Sequence, residues 1–181
     1  LFVGSRGALG CIVEATFKLR PLSEAELFLR GDCATLDEAE DLLERTLNSP
    51  VNPIVLDLVN AKSGSPSIGV ILGLAGSRVE VDWQKQRALA LGYAREVDLS
   101  HESAFWSGAN ADDIRTVSIL PSRLIQTVKD LKPAQFVARA GSGILHYRGG
   151  APLPAPRPPL ELLKRMKDAY DPNGILPDPQ W

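Results

Sequence analysis

Two helix-start signals, set among short apolar runs, constrain the fold of this chain most. The segments TLDE (residues 35–38) and SRVE (residues 77–80) each place a hydroxyl three residues before a glutamate, the pattern of a capping box. The apolar runs around each predicted helix are short and bounded by turn residues, which is typical of strands. The order strand–helix–strand–strand then recurs later in the chain. The sequence therefore predicts an α+β fold, an antiparallel sheet with helices on one face as in ferredoxin-like domains.

The predicted elements of this central region follow from periodicity and from turn residues. Helices are predicted to begin at Thr35, Ser77 and Pro121, with Gly92 ending the second, and a short helix is predicted around Trp106. Residues 151–159 include five prolines, typical of a stiff linker, and a closing helix is predicted over residues 160–170. Strands are predicted at residues 25–30, 54–59, 68–75, 114–119, 135–140 and 144–148.

The composition excludes several classes of function. The chain has 181 residues and a net charge of -2, so it lacks the cationic excess that nucleic-acid binding requires. Its longest apolar run, residues 69–76, is far shorter than the roughly 18 residues of a membrane-spanning helix. Cys11 and Cys33 lie in apolar strand-like runs, which predicts two buried thiols and no disulfide framework. Reduced thiols in turn indicate a cytoplasmic location.

The first twenty residues combine a glycine-rich segment with an alternating run. The segment GSRGALG (residues 4–10) is neither a dinucleotide-binding G-x-G-x-x-G nor a P-loop, since no helix follows it and no Lys-Ser/Thr pair ends it. On the residues alone it is either a plain turn or a cofactor loop. The alternation over residues 11–20 predicts a strand with one buried face, ended by Pro21. The absence of an initial Met indicates a C-terminal piece of a longer protein.

These terminal segments carry a resemblance to a known family. Residues 1–22, LFVGSRGALGCIVEATFKLRPL, resemble the end of the flavin-binding domain in FAD-linked oxidases of the vanillyl-alcohol oxidase and p-cresol methylhydroxylase type. Residues 167–176, KDAYDPNGIL, resemble the D-P-x-G-I-[LF] ending of the same family. The chain departs from the family pattern at Arg6, Ala8, Pro177 and Pro179, where Glu, Thr, Asn and Gly are usual.

The resemblance implies FAD as the cofactor and a division of the chain into three parts. Residues 1–22 would end a truncated FAD-binding domain, and residues 23–150 would form the cap, or substrate, domain. Residues 151–181 would form a proline-rich linker and a helix that returns to the FAD domain. The residues implied to contact the cofactor are Gly4, Ser5, Gly7, Leu9, Gly10 and Ile12.

A further segment, RAGSGILH at residues 139–146, fits the frame H-A-G-D-G-N-x-H with which catalytic members of the family hold a metal. Both glycines and the last histidine remain, but the other ligands are replaced, so we expect no metal site. An arginine in place of a metal-holding histidine can bind a carboxylate through two hydrogen bonds. The candidate catalytic residues are therefore Arg139, His146 and Arg148. The alternative is structural: arginines on a solvated strand face and a histidine at a strand end.

Three functions remain open on the sequence. The chain is most similar to the C-terminal part of subunits of the glycolate oxidase type, which implies an FAD-dependent oxidoreductase acting on a small 2-hydroxy acid. In that case the full-length protein is the enzyme and the fragment alone is inactive. The second is a non-catalytic FAD-binding or assembly subunit that partners a sister flavoprotein subunit and an iron–sulfur subunit. The third is an isolated ferredoxin-like interaction module without flavin.

Overall fold

The computed structural model describes residues 2–19, 21–60, 68–107, 113–152 and 159–178. It divides into two compact units, one of residues Leu22–Leu153 and the other of Leu1–Pro21 together with Pro154–Trp181. Most of the proline-rich stretch that the sequence predicts to be a linker lies outside the described residues. Among the described residues, no helix is both long enough and apolar enough to cross a membrane.

The larger unit is built on a seven-stranded sheet with the order β4-β1-β3-β2-β6-β7-β5, in which neighbouring strands run antiparallel. The predicted α+β fold is confirmed. The strands are β1 (Ala25–Cys33), β2 (Val55–Asn60), β3 (Ile68–Gly76), β4 (Arg95–Glu96), β5 (Arg115–Ser118), β6 (Gln135–Arg139) and β7 (Ile144–Arg148). The helices are α1 (Leu36–Leu47), α2 (Arg78–Leu91), α3 (Ser100–Ser107), α4 (Leu124–Leu131) and, in the smaller unit, α5 (Leu160–Tyr170).

The sheet contains one strand–helix–strand–strand arrangement twice. The first copy is β1, α1, β2 and β3, and the second is β5, α4, β6 and β7. In each copy the last strand lies between the other two, and the copies meet where β2 pairs with β6. The order of the second copy is the reverse of the first, so a pseudo-twofold relation between β2 and β6 organises the sheet.

The capping box at Ser77 forms in full, and the one at Thr35 forms in part. The Thr35 hydroxyl accepts a hydrogen bond from the Glu38 amide at 3.1 Å and starts α1, but the Glu38 carboxylate accepts from the Ala34 amide and not from that of Thr35. At α2 the Ser77 side chain and the Glu80 side chain each bind the backbone of the other residue. Gly92 ends α2 with φ of 112°, a left-handed conformation that favours glycine. The helix starts predicted at Thr35 and Ser77 are correct because each depends on residues only three positions apart. At Pro121 a short 3₁₀ turn, Pro121–Arg123, comes first, and α4 begins at Leu124.

The hydrophobic core lies between the sheet and α1, α2 and α4, which pack on one face as predicted. Alternate strand residues such as Leu29, Leu58 and Leu72 point into this core and are almost fully buried. The helices contribute Leu42, Leu43, Ala88, Leu124, Ile125 and Val128. The opposite face, called here the open face, carries a smaller cluster of Val59, Ile71 and Val137 under Phe105 of α3.

The prediction of a half-buried strand over residues 11–20 is wrong for this chain. Residues 11–19 form no strand, and every one of their side chains is exposed, with Val13 at 95%. A strand needs a neighbour to satisfy its backbone groups, and the described residues supply none here. For the same reason Cys11 is exposed, so only Cys33 is the buried thiol that the sequence predicts.

Candidate functional site

The glycine segment at residues 4–10 forms two consecutive turns. The Ala8 amide donates to the Ser5 carbonyl at 2.9 Å, and both the amide and the hydroxyl of Ser5 donate to the Phe2 carbonyl. Gly4 and Gly7 have φ of 89° and 84°, which few other residues adopt. A Cβ at Gly4 or Gly7 would meet no atom of the described residues within 4 Å, so the backbone is open at these two positions.

The predicted cofactor-binding residues divide into backbone positions and side chains. The backbone of Gly4 and Gly7 is open, whereas Gly10 lies against the Phe2 ring. A Cβ added to Gly10 would lie 3.3 Å from a carbon of that ring. Leu9 is buried within the unit, and Ile12 is exposed on the unpaired segment. The loop therefore fits a role in which backbone amides, and not side chains, approach a cofactor.

Helix α5 holds this loop through one lysine. Lys167 Nζ donates to the carbonyl oxygen of Ala8 at 3.0 Å and to those of Leu176 and Pro177 at 3.0 and 3.1 Å. The Phe2 and Tyr170 rings also meet edge to face, with centroids 5.2 Å apart. The N-terminal loop and the C-terminal segment, which carry the family resemblance, are thus joined within one unit.

Asp171 completes this connection and caps the turn that follows α5. Its carboxylate accepts from Lys167 Nζ at 2.6 Å and from the amides of Ile175 and Leu176 at 2.8 and 2.9 Å. The hydrogen bond from Lys167 is the main cause of a lowered pKa of Asp171, and the two amides add to it. The aspartate of the D-P-x-G-I motif therefore binds the backbone amides of the turn that follows it.

The three predicted catalytic residues all lie on the open face of the sheet, along the β6–β7 hairpin. In the strand register Arg139 faces Ile144, His146 faces Val137, and Arg148 faces Gln135. They therefore form a row along the hairpin and do not converge on one point. Helix α3 covers this row, with a different residue of the helix contacting each member.

Arg139 is held by two carboxylates. Its guanidinium donates from Nη1 to Asp57 and from Nη2 to Glu102. Burial opposes its charge, but the two carboxylates outweigh this and raise the pKa of Arg139. Asp57 is 2% exposed and lies opposite Arg139 in the β2–β6 register, so this arginine is its counterion.

His146 is partly buried, and its pKa is lowered. Burial is the main cause of its lowered pKa, and the nearby positive charge of Arg139 lowers it further. Nδ1 lies 2.9 Å from Thr116 Oγ1, and the ring meets Trp106 edge to face at 5.1 Å. A neutral imidazole with one nitrogen held by a hydroxyl can accept a proton at the other, which is the chemistry of a general base.

Arg148 is also engaged within the chain. Nη2 donates to the Phe105 carbonyl, Nη1 donates to Gln135 Oε1 at 3.4 Å, and the guanidinium lies 4.8 Å from the centre of the Phe105 ring. Its Nε is buried and has no hydrogen-bond partner in the described ranges. The structure thus places Arg148 as a clamp on α3.

Sequence reasoning missed the acidic partners of this face, Asp57 and Glu102. A charged residue inside the apolar run VLDLV (residues 55–59) is a signal that a counterion must lie opposite it. Glu102 carries no comparable signal, because α3 has little amphipathic character. Within the described ranges, no three His, Cys, Asp or Glu residues are grouped so that they could hold a metal ion.

Comparison with known proteins shows a likeness of fold. No family model and no curated protein sequence matches the chain. Among solved structures, alkyldihydroxyacetonephosphate synthase in crystal form P1 is similar, with a TM-score of 0.57 and 15% identity over 96% of this chain and 45% of that one. The same enzyme in form P212121 gives a TM-score of 0.55 and 14% identity, over 96% and 48%. The chain therefore spans less than half the length of these synthases and shares the fold of that part.

Proposed function

We propose that this chain is part of an FAD-linked oxidoreductase of the vanillyl-alcohol oxidase type, with Leu22–Leu153 as its cap domain. The observation that carries the proposal is the fold that 96% of the chain shares with alkyldihydroxyacetonephosphate synthase, which we place in the same family. The family-like G-S-x-G-x-L-G loop and D-P-x-G-I ending, joined through Lys167, support it.

The glycine loop is the part of this chain that would approach the FAD. Because glycine has no side chain, its backbone amide can come close to a ligand. The space that a Cβ would occupy at Gly4 and Gly7 is open. FAD supplies the hydride-accepting chemistry when bound. A cofactor of that size is normally buried over most of its surface, which one loop cannot achieve. We therefore propose that its other contacts come from protein segments outside these 181 residues.

The finer proposal is a small 2-hydroxy acid as substrate, with His146 accepting the hydroxyl proton. The lowered pKa of His146 supports this, because a base must be unprotonated at working pH. Trp106 and Thr116 fix the orientation of its ring.

The test is anaerobic reduction of the flavin in the natural protein that contains this chain. Glycolate should bleach the visible flavin absorbance, and His146→Gln should slow the bleaching about 100-fold, the lower range of a general-base contribution. Glu44→Gln, an exposed change on α1, is the control and should leave the rate unchanged. Bleaching by dithionite but by no 2-hydroxy acid would contradict the substrate while leaving the flavin assignment intact.

A second candidate, a non-catalytic subunit, is favoured by one specific observation. The guanidinium groups of Arg139 and Arg148 are both engaged within the chain, so neither is poised for a substrate carboxylate. Such a subunit would bind FAD, yet glycolate would reduce it only after a sister flavoprotein and an iron–sulfur subunit are added. Co-purification of those two subunits with the tagged protein tests this alternative.

A further inference from the structure

We propose that the open face carries a binding site for a small carboxylate with an apolar body, built around Arg30 of β1. This site is separate from the row of Arg139, His146 and Arg148, and it does not depend on the proposed oxidoreductase activity.

Arg30 is a nearly buried charge on the open face. Its side chain is only 11% exposed, and the guanidinium lies flat across Gly69 of the neighbouring strand β3. A Cβ at position 69 would collide with this guanidinium, so the glycine provides the space it occupies. A buried guanidinium requires hydrogen-bond partners for its donors.

Within the part of the chain that the structure describes, only the Nε side of this guanidinium has a hydrogen-bond partner. Arg30 Nε donates to Asp32 Oδ1 at 2.6 Å, and the same carboxylate also pairs with Arg95 at 3.2 Å. One half-exposed carboxylate is thus shared between two positive charges. Among the described residues, the two terminal nitrogens of Arg30 have no hydrogen-bond partner, yet they are not sealed from solvent. They differ in this from Nη1 and Nη2 of Arg139 and Arg148, which are engaged within the chain.

Two clefts meet at Arg30. One of about 360 Å³ lies between α3 and the sheet, and its walls include the apolar side chains of Val59, Phe105 and Val137. The other, of about 530 Å³, shares Arg30, Ser100 and His101 with the first. A ligand carboxylate at the terminal nitrogens of Arg30 would place an apolar body against those apolar walls. Carboxylates match the two parallel donors of a guanidinium.

His101 lines both clefts and carries ring nitrogens that are available to a ligand. Both of its ring nitrogens are buried and have no hydrogen-bond partner among the residues that the structure describes, and Nε2 lies 3.7 Å from Asp57 Oδ2. Buried polar atoms without partners are rare in folded proteins and are often found where a ligand or water binds. Asp98 and Glu96 line the second cleft, so a dianionic phosphate would be repelled there more strongly than a monoanion.

Benzoate is the probe for this site, with benzamide as its uncharged isostere and inorganic phosphate as an anion without an apolar body. Titrated into the ¹⁵N-labelled chain, benzoate should shift amide resonances of β1, β6 and α3, and the two other compounds should bind at least about tenfold more weakly. Equal binding of benzamide would overturn the role of the guanidinium. Benzoate shifts centred on Arg139 and His146, or no shifts at all, would overturn the site.

Two variants test Arg30 itself. Arg30→Gln should raise the Kd for benzoate at least about tenfold, whereas Arg87→Gln, the same charge change on α2, should leave it unchanged. Gly69→Ala keeps every charge but displaces the guanidinium, and it should also weaken benzoate binding. The dispersion of each spectrum reports whether the variant is folded. A folded Arg30→Gln or Gly69→Ala chain with unchanged affinity would refute the proposal.

Discussion

Asp57 lies in the middle of the sheet, and its burial determines what Arg139 can do. A carboxylate that is 2% exposed must be paired, and Arg139 pairs with it while Glu102 takes the second side of the guanidinium. The arginine that the sequence suggests for substrate binding therefore serves first to neutralise a buried acid. The sequence did not single out Arg30, whose terminal nitrogens have no hydrogen-bond partner among the described residues.

The lowered pKa of His146 predicts how protonation affects stability. The folded state disfavours the charged form of this histidine. Its contribution to stability is therefore complete above about pH 6.5, the ordinary pKa of histidine, and is lost as the pH falls through the lower pKa of the folded state. An NMR titration of the ring protons should give a midpoint below 6.5. His146→Gln should remove this part of the pH dependence and leaves His101 as the other histidine. A midpoint at or above 6.5 would show that the ring is neither desolvated nor close to Arg139.

The lowered pKa of Asp171 gives a prediction in a different pH range. Stabilisation of the turn after α5 should be complete above the ordinary carboxyl pKa of about 3.9 and lost as pH falls through the folded value. Lys167→Met should accelerate hydrogen exchange of the Ile175 and Leu176 amides, because their acceptor loses its main partner. Lys164→Met, one turn earlier on the same helix and exposed, is the matched control. Equal exchange in both variants would contradict the role of Lys167.

Among the helices, the end of α1 is joined to the residues just after α2 by a buried polar contact between Thr46 and Tyr93. Thr46 Oγ1 donates to the Leu42 carbonyl of its own helix and lies 2.8 Å from the Tyr93 hydroxyl. Both side chains are fully buried, and burial raises the pKa of Tyr93 to about 12. The phenol therefore stays protonated across the physiological range, so this contact holds the two segments together independently of pH.

Removing the Thr46 hydroxyl should destabilise the larger unit. Thr46→Val leaves the Tyr93 hydroxyl buried without a partner, so we expect the free energy of unfolding to fall by about 1–3 kcal/mol. Thr127→Val removes the same kind of helical hydroxyl bond from α4, to the Arg123 carbonyl, at a more exposed position, and should cost less. Urea denaturation measures both. An equal loss of unfolding free energy in the two variants would mean that the hydrogen bond between Thr46 and Tyr93 does not stabilise the fold.

The elements that sequence could predict are those with local causes. The helix N-caps at Thr35 and Ser77 and the left-handed Gly92 depend on neighbouring residues, so their predicted positions are correct. Strand β4 has two residues and exists only through pairing with β1, which leaves no periodic pattern. The Arg139–Asp57 pair joins residues 82 positions apart and depends on the β2–β6 seam, which periodicity does not specify.

At the scale of the whole molecule, the two units differ in how much of their apolar surface they bury. The larger unit has a continuous core, whereas residues 11–19 and α5 leave most of their large apolar side chains exposed, including Phe17, Leu19 and Leu160. An alternating run without a neighbouring strand can add to the edge of another sheet. We propose that the rest of a flavin-binding domain supplies that sheet, consistent with the length of the similar synthases.

The FAD content of the natural protein that contains this chain decides whether the glycine loop belongs to a flavin site. After purification, this protein should carry close to one FAD per chain, released on denaturation and identified by chromatography. Gly7→Val should abolish it, because the left-handed backbone at that position excludes a β-branched side chain. Ser23→Ala, an exposed change outside the loop, should retain it. A natural protein that contains no FAD and takes up none from excess cofactor would contradict the proposal that this chain is part of an FAD-linked oxidoreductase.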